Sequence, residues 1–239
     1  MSRVERLPPP PAAPKRSPPV ALRGELSARI DGREGGPALD ARIHVPNAAL
    51  RSVVICHPHP LYGGSMHSPM CLALARALSE HASDRIAWAR FDFRGVGTSE
   101  GHYDEGRGEL DDALAVMQVL ASRVPRMPMT VAGHSFGSWI ALRAAASAPG
   151  ELLVTHAVLL APSTRLFAFS EGEVGFAGTT SIFVGTDDEY CDVDEAKELG
   201  RRLRADRVRV FEGFDHQFTQ GRRRVAEAAL SSLAPEVDS

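Results

Sequence analysis

Cysteine is scarce in this 239-residue chain: the three residues Cys56, Cys71 and Cys191 stand at irregular intervals. That spacing excludes a disulfide framework and gives no zinc-ligand pattern. No charge of either sign dominates, since 27 Lys and Arg face 30 Asp and Glu for a net −3. A basic face for nucleic acid is therefore missing, and the one cluster, Arg222 to Arg224, reads as the solvated start of a helix. No apolar run reaches the length of a membrane span or of a signal segment. The expectation is a cytoplasmic protein with neither membrane nor nucleic-acid partner. What remains is 44% hydrophobic and 24% charged residues, the balance of an ordinary globular chain.

Residues 1–20, MSRVERLPPPPAAPKRSPPV, are too rich in proline for helix or ladder, so they predict an extended tail ahead of one domain over 21–239. Two loosely alternating stretches, 21–30 and 38–45, suggest an early hairpin. The run Ser52 to Cys56 is short and continuously apolar, as in a strand covered on both faces, with Cys56 a small buried hydrophobe. Strands are then expected at 86–93, 129–132, 156–160, 181–184 and 208–211. Helices are expected at 68–81 with Pro69 in its first turn, around Leu110 to Ala121, and at 136–146, 194–204 and 217–233. Such alternation implies a mostly parallel sheet covered on both sides, with reactive groups at the C-terminal strand ends.

One stretch carries chemistry there. Gly133-His134-Ser135-Phe136-Gly137 places G-x-S-x-G between a strand and a helix. A serine on that tight turn needs small neighbours two residues away, and the following helix directs its positive end at a developing oxyanion. A serine hydroxyl also needs a base. Among nine histidines, His216 is favoured because it follows the last strand, whereas the turn points His134 away from the serine. The acid that holds the imidazole should follow the strand at 181–184, where Asp187, Asp188, Glu189 and Asp192 crowd together. One oxyanion donor is expected to be the Phe136 N–H, the other a residue of His57-Pro58-His59-Pro60-Leu61-Tyr62-Gly63-Gly64. Proline has no N–H, which leaves His59, Leu61 and Tyr62. His57 and His59 lack a third ligand at metal spacing, so no metal or other cofactor is expected, and His57 reads as a brace for the loop.

These motifs, with Phe91-Asp-Phe-Arg-Gly-Val-Gly97, Asp104 to Glu109 and Gly185-Thr-Asp-Asp188, resemble the α/β-hydrolase superfamily, in particular small lidless bacterial serine hydrolases related to the dienelactone hydrolases. The resemblance spans about residues 50–220. It implies an α/β-hydrolase fold without a large lid, Asp188 as the acid of a Ser135–Asp188–His216 triad, and Leu61 as the second oxyanion donor. Dienelactone hydrolases carry cysteine where this chain has Ser135, so lactone specificity does not transfer. Asp92 and Arg94 are read as ties for their loop. The short link 162–180 leaves no room for a cap, and its Phe167, Phe169 and Phe176 are expected to line an open site for short acyl groups. The implied activity is hydrolysis of ester-type bonds of a small acyl substrate. A thioesterase, acyltransferase or peptidase would use the same residues, and a non-catalytic binding protein would break them.

Overall fold

A computed structural model describes Pro9, residues 20–169 and residues 175–233. The proline-rich segment, apart from Pro9 and Val20, lies outside them. Eight strands form one sheet: β1 (Leu26–Ile30), β2 (Leu39–His44), β3 (Arg51–Cys56), β4 (Ile86–Phe91), β5 (Met129–His134), β6 (Val154–Leu160), β7 (Thr179–Asp187) and β8 (Arg207–Asp215). Their spatial order is β1-β2-β4-β3-β5-β6-β7-β8. β1, β2 and β4 pair antiparallel, and every pair from β4 through β8 is parallel.

The helices are α1 (Pro69–His81), α2 (Arg107–Arg123), α3 (Phe136–Ser147), α4 (Val193–Leu203) and α5 (Arg222–Leu233). Successive side chains of β3 alternate between two apolar layers. Val53 and Ile55 join Leu74 and Leu78 of α1 and Val225 and Ala229 of α5, whereas Val54 and Cys56 join Val116 and Leu120 of α2 and Ile140 of α3. Helix α4 packs on the α3 side, with Leu199 against Ile182 and Val184. A strand buried on both faces has no polar alternation, which is why 52–56 reads as a continuous apolar run.

Several boundaries differ from expectation. β1 starts at Leu26, because residues 22–25 form a turn closed by the Glu25 N–H on the Leu22 carbonyl. The Glu25 carboxylate receives the buried Arg90 guanidinium at 2.6 and 2.8 Å, which fastens this turn to β4. The closing helix starts at Arg222 instead of residue 217. Phe218 takes φ 49 and cannot sit in a helix, while the Asp215 carboxylate accepts the Thr219 N–H at 2.8 Å.

Four buried histidines are held neutral. Burial lowers His57 and His134 to about 3 and His59 and His156 to about 4, against an ordinary 6.5. The unfolded chain therefore binds protons that the native state refuses, and stability falls as pH drops from 6.5 towards 3. Asp92, raised by burial to about 6, works in the opposite direction, as do Glu109 and Asp112, which burial also raises. The expected result is a melting temperature that falls steadily between pH 6.5 and pH 4. A flat profile over that range would contradict the buried neutral state.

Candidate functional site

The turn between β5 and α3 is as tight as its sequence requires. Ser135 takes φ 57 and ψ −123, a conformation side-chain-bearing residues rarely adopt. A Cβ on Gly133 would stand 1.9 Å from the Gly137 carbonyl oxygen, and one on Gly137 would stand 2.3 Å from the Cys56 carbonyl oxygen. Both glycines are therefore steric necessities, and the second brings α3 against the end of β3. Phe136 is the first residue of α3, so its N–H has no carbonyl within the helix to bond.

Three side chains from distant parts of the chain meet over this turn. His216 Nε2 stands 2.9 Å from Ser135 Oγ, and His216 Nδ1 stands 2.9 and 3.0 Å from the two oxygens of Asp188. All three are buried, with Ser135 the most accessible at 9%. Among the four acids that sequence left in contention, only Asp188 reaches the imidazole. Its Oδ1 is also fixed by the N–H groups of Tyr190 and Cys191 at 2.8 and 3.2 Å. Asp187 pairs with the Thr186 hydroxyl and Glu189 is exposed. Asp192 caps α4 through the Glu195 N–H and meets Arg165 at 2.9 Å.

The loop after β3 is braced by His57. Its Nδ1–H donates to the Pro58 carbonyl at 2.5 Å and its Nε2 accepts the Phe93 N–H at 3.0 Å, so neither nitrogen is left for a ligand. Beyond it the hydrogen bonds depart from expectation. The Leu61 N–H donates to His59 Nδ1 at 3.2 Å and the Tyr62 N–H to the His59 carbonyl at 3.1 Å. Both are spent locally in a short 3₁₀ turn over residues 60–62. The His59 N–H alone among the three candidates has no partner among the described residues.

Of the three phenylalanines expected to line the site, Phe167 alone packs against Phe136, at 5.3 Å between ring centroids. Phe169 and Phe176 belong instead to the apolar layer under α4. Their place is taken by three tyrosines, of which sequence reasoning weighed Tyr62 only as a backbone donor and passed over Tyr103 and Tyr190. Tyr62 and Tyr103 pack on the His59 ring at 4.9 and 4.7 Å, and Tyr190 meets His216 edge-on at 4.7 Å. These are the chain's only three tyrosines. Tyr62 lies inside the donor loop already quoted, and Tyr103 and Tyr190 lie one and two residues from quoted motifs, which is the signal that would have found them. Asp92 and Arg94 serve as ties: the Asp92 carboxylate accepts the Met66 N–H at 2.7 Å, and Arg94 pairs with Asp112 of α2 at 2.8 Å.

Two further groups touch this centre. His134 is buried, and its Nε2–H donates to the His216 carbonyl at 2.9 Å, fastening the loop that carries the imidazole to the elbow. The Ser163 hydroxyl, in the link after β6, stands 3.2 Å from Ser135 Oγ. Among the described residues no group of three or more potential metal ligands gathers, and no helix is long and apolar enough to cross a membrane.

With this geometry in place, the chain can be set beside known proteins. It is 29% identical to an uncharacterized protein of Rickettsia prowazekii over 201 residues, which is 80% of this chain and 78% of the relative. A lidless α/β serine hydrolase from Xanthomonas campestris is 28% identical and superimposes with a TM-score of 0.75, covering 92% of this chain and 99% of that one. An α/β serine hydrolase homologue from Coxiella burnetii gives the same identity and TM-score over 90% and 100%. Residues 48–170, more than half of the chain, match the model of the family described as serine aminopeptidase, S33. The chain belongs to that family of hydrolases, with the α/β-hydrolase fold and no lid.

Proposed function

We propose that this hydrolase cleaves carboxylester or thioester bonds of small acyl substrates through an acyl-enzyme on Ser135. The observation that carries the reading is the continuous hydrogen-bonded line from Asp188 through His216 to Ser135 Oγ, at 2.9 Å on each side of the imidazole. The Asp188 carboxylate accepts from Nδ1–H, so Nε2 is the bare nitrogen and takes the serine proton as the hydroxyl attacks a carbonyl. Hydrolysis of the acyl-enzyme repeats the sequence with water. The small-molecule substrate, the cytoplasmic setting, the single domain over 21–239 and the kinship with dienelactone hydrolases belong to the same proposal.

The family description favours a second reading, cleavage of amide bonds next to a free amino group. Such a substrate would need an uncommitted carboxylate beside the nucleophile. The rings that pack on His59 and on the catalytic imidazole are instead aromatic and neutral: Tyr62, Tyr103 and Phe167 on the first, Tyr190 on the second. The Asp188 carboxylate there is already spent on His216 and two backbone N–H groups. Esters are preferred on that ground. A fluorophosphonate probe, with the adduct located by mass spectrometry, is expected to label Ser135, and short acyl esters are expected to turn over faster than long ones. Absence of an adduct would favour a non-catalytic binding role. Faster release of arylamides from aminoacyl compounds than of alcohols from esters would favour the peptidase.

For the oxyanion we propose the N–H groups of Phe136 and His59. Leu61, favoured by the family resemblance, would first have to release the His59 ring. His59 already has φ −54, which proline also adopts, so His59→Pro removes the N–H with little change of backbone. The expected loss in kcat is about 10²–10³-fold for His59→Pro. His59→Ala, which keeps the N–H, is expected to lose much less. Equal losses in the two variants would assign the effect to the imidazole and return the role to Leu61.

A further inference from the structure

Ser163 lies in the link after β6 with its side chain fully buried, and nothing in the chemistry above uses it. Its hydroxyl makes one hydrogen bond among the described residues, the 3.2 Å contact with Ser135 Oγ. The position is not accidental to the backbone. The Ser163 carbonyl accepts the N–H groups of Leu166 and Phe167 at 3.1 and 3.0 Å, and Ala161 takes φ 45 to turn the chain at the strand end. The Leu160 carbonyl just before that bend accepts the Ser135 N–H at 2.9 Å. Both hydroxyls are thus held by the same end of β6.

The direction of the 3.2 Å hydrogen bond follows from counting protons. With His216 neutral, its single ring proton lies on Nδ1, facing the carboxylate. Nε2 must then accept, and the proton it accepts is the one carried by Ser135 Oγ. Ser135 has no second proton for Ser163. In the resting site, therefore, Ser163 donates and Ser135 accepts.

We propose that Ser163 is a catalytic hydrogen-bond donor to the nucleophile oxygen, acting mainly when that oxygen leaves. The proposal rests on the acyl-enzyme reading. In acylation the Ser135 Oγ–carbon bond forms, the serine proton passes to His216 Nε2, and the alcohol departs with that proton. Throughout, negative charge collects on the carbonyl oxygen, so a donor to Oγ gains little. In deacylation water bonds to the carbon and gives a proton to His216. The carbon–Oγ bond then breaks, its electron pair returns to Oγ, and Oγ recovers the proton from Nε2. During that cleavage charge builds on Oγ, and the Ser163 bond strengthens as it becomes charge-assisted. Ser163 keeps its own proton in both halves.

The test uses the whole chain with p-nitrophenyl acetate, comparing the parent with Ser163→Ala and Ser163→Cys by stopped flow and intact-mass spectrometry. Deacylation is expected to slow by about 10–30-fold in Ser163→Ala, with acylation and kcat/KM within about threefold. The fraction of protein acylated at steady state should rise accordingly. Ser163→Cys keeps a weaker donor of similar shape and should fall between the two; it also serves if the alanine variant folds poorly. Equal slowing of both half-reactions, or an unchanged acylated fraction, would overturn the proposal and leave Ser163 as packing. If the parent itself forms no adduct on Ser135 with the phosphonate probe, the acyl-enzyme reading has failed rather than this one.

Discussion

Ser135→Ala is expected to lower turnover of a model ester by about 10⁴–10⁶-fold, and Ser135→Gly to do the same while melting at a higher temperature than the alanine variant. The rate loss follows from the nucleophile itself, since no other hydroxyl among the described residues reaches His216 Nε2. The stability difference follows from the backbone. At φ 57 and ψ −123 serine and alanine pay the same steric cost, typically about 1–3 kcal/mol, and glycine avoids most of it. Thermal melts of the two inactive variants therefore read the strain stored at the elbow separately from the chemistry. Equal melting temperatures would mean the turn is unstrained; an alanine variant retaining most of its activity would remove Ser135 from its role.

Much of the fold was legible because it rests on short-range rules. The continuous apolar run at 52–56 appears as β3, covered by α1 and α5 on one face and by α2 and α3 on the other. Pro69 opens α1, although the Ser68 hydroxyl serves the Ser65 N–H instead of capping that helix. What was not legible depended on tertiary contacts. Gly24, at φ 83, is a local mark of the turn over Leu22 to Glu25, but its attachment to β4 depends on Arg90, over sixty residues away in sequence. Nor does helical periodicity reveal that 217–221 is held out of α5 by the Asp215 carboxylate and the left-handed Phe218.

At the site the same division holds. G-x-S-x-G in its strand–turn–helix setting is a local steric signature, and the structure places Ser135 on that turn beside His216. Residue chemistry alone did not separate Asp187, Asp188, Glu189 and Asp192, whereas the family resemblance singled out Asp188, and Asp188 is the acid that stands 2.9 and 3.0 Å from His216 Nδ1. The hydrogen bonds of the donor loop were not legible for a related reason. Counting missing N–H groups excludes the prolines, but only the three-dimensional turn shows that Leu61 and Tyr62 both spend their N–H groups on His59. Ser163 carries no sequence signal at all. It is one serine among many until the end of β6 is seen to bend towards Ser135.

The choice of Asp188 can be tested against its neighbours. In the native site its Oδ1 accepts three N–H groups, from Tyr190, Cys191 and His216, and among the described residues its Oδ2 faces only His216 Nδ1, at 3.0 Å. In Asp188→Asn the two backbone donors hold the amide oxygen at the Oδ1 position, so the NH₂ group must take the Oδ2 position. There it opposes Nδ1–H and favours the tautomer with the ring proton on Nε2. That nitrogen then donates to Ser135 Oγ and can no longer accept its proton. The expected result is a fall in kcat of about 10⁴-fold with KM little changed, and a nitrogen NMR signature of the reversed tautomer. Asp187→Asn should leave the rate nearly intact. Asp192→Asn should also leave it so, at a cost of at most about 1 kcal/mol in stability, because asparagine still caps α4 while the Arg165 pair is lost. A larger rate loss in either neighbour than in Asp188→Asn would show that the carboxylate at 188 is not the one that steadies the imidazolium.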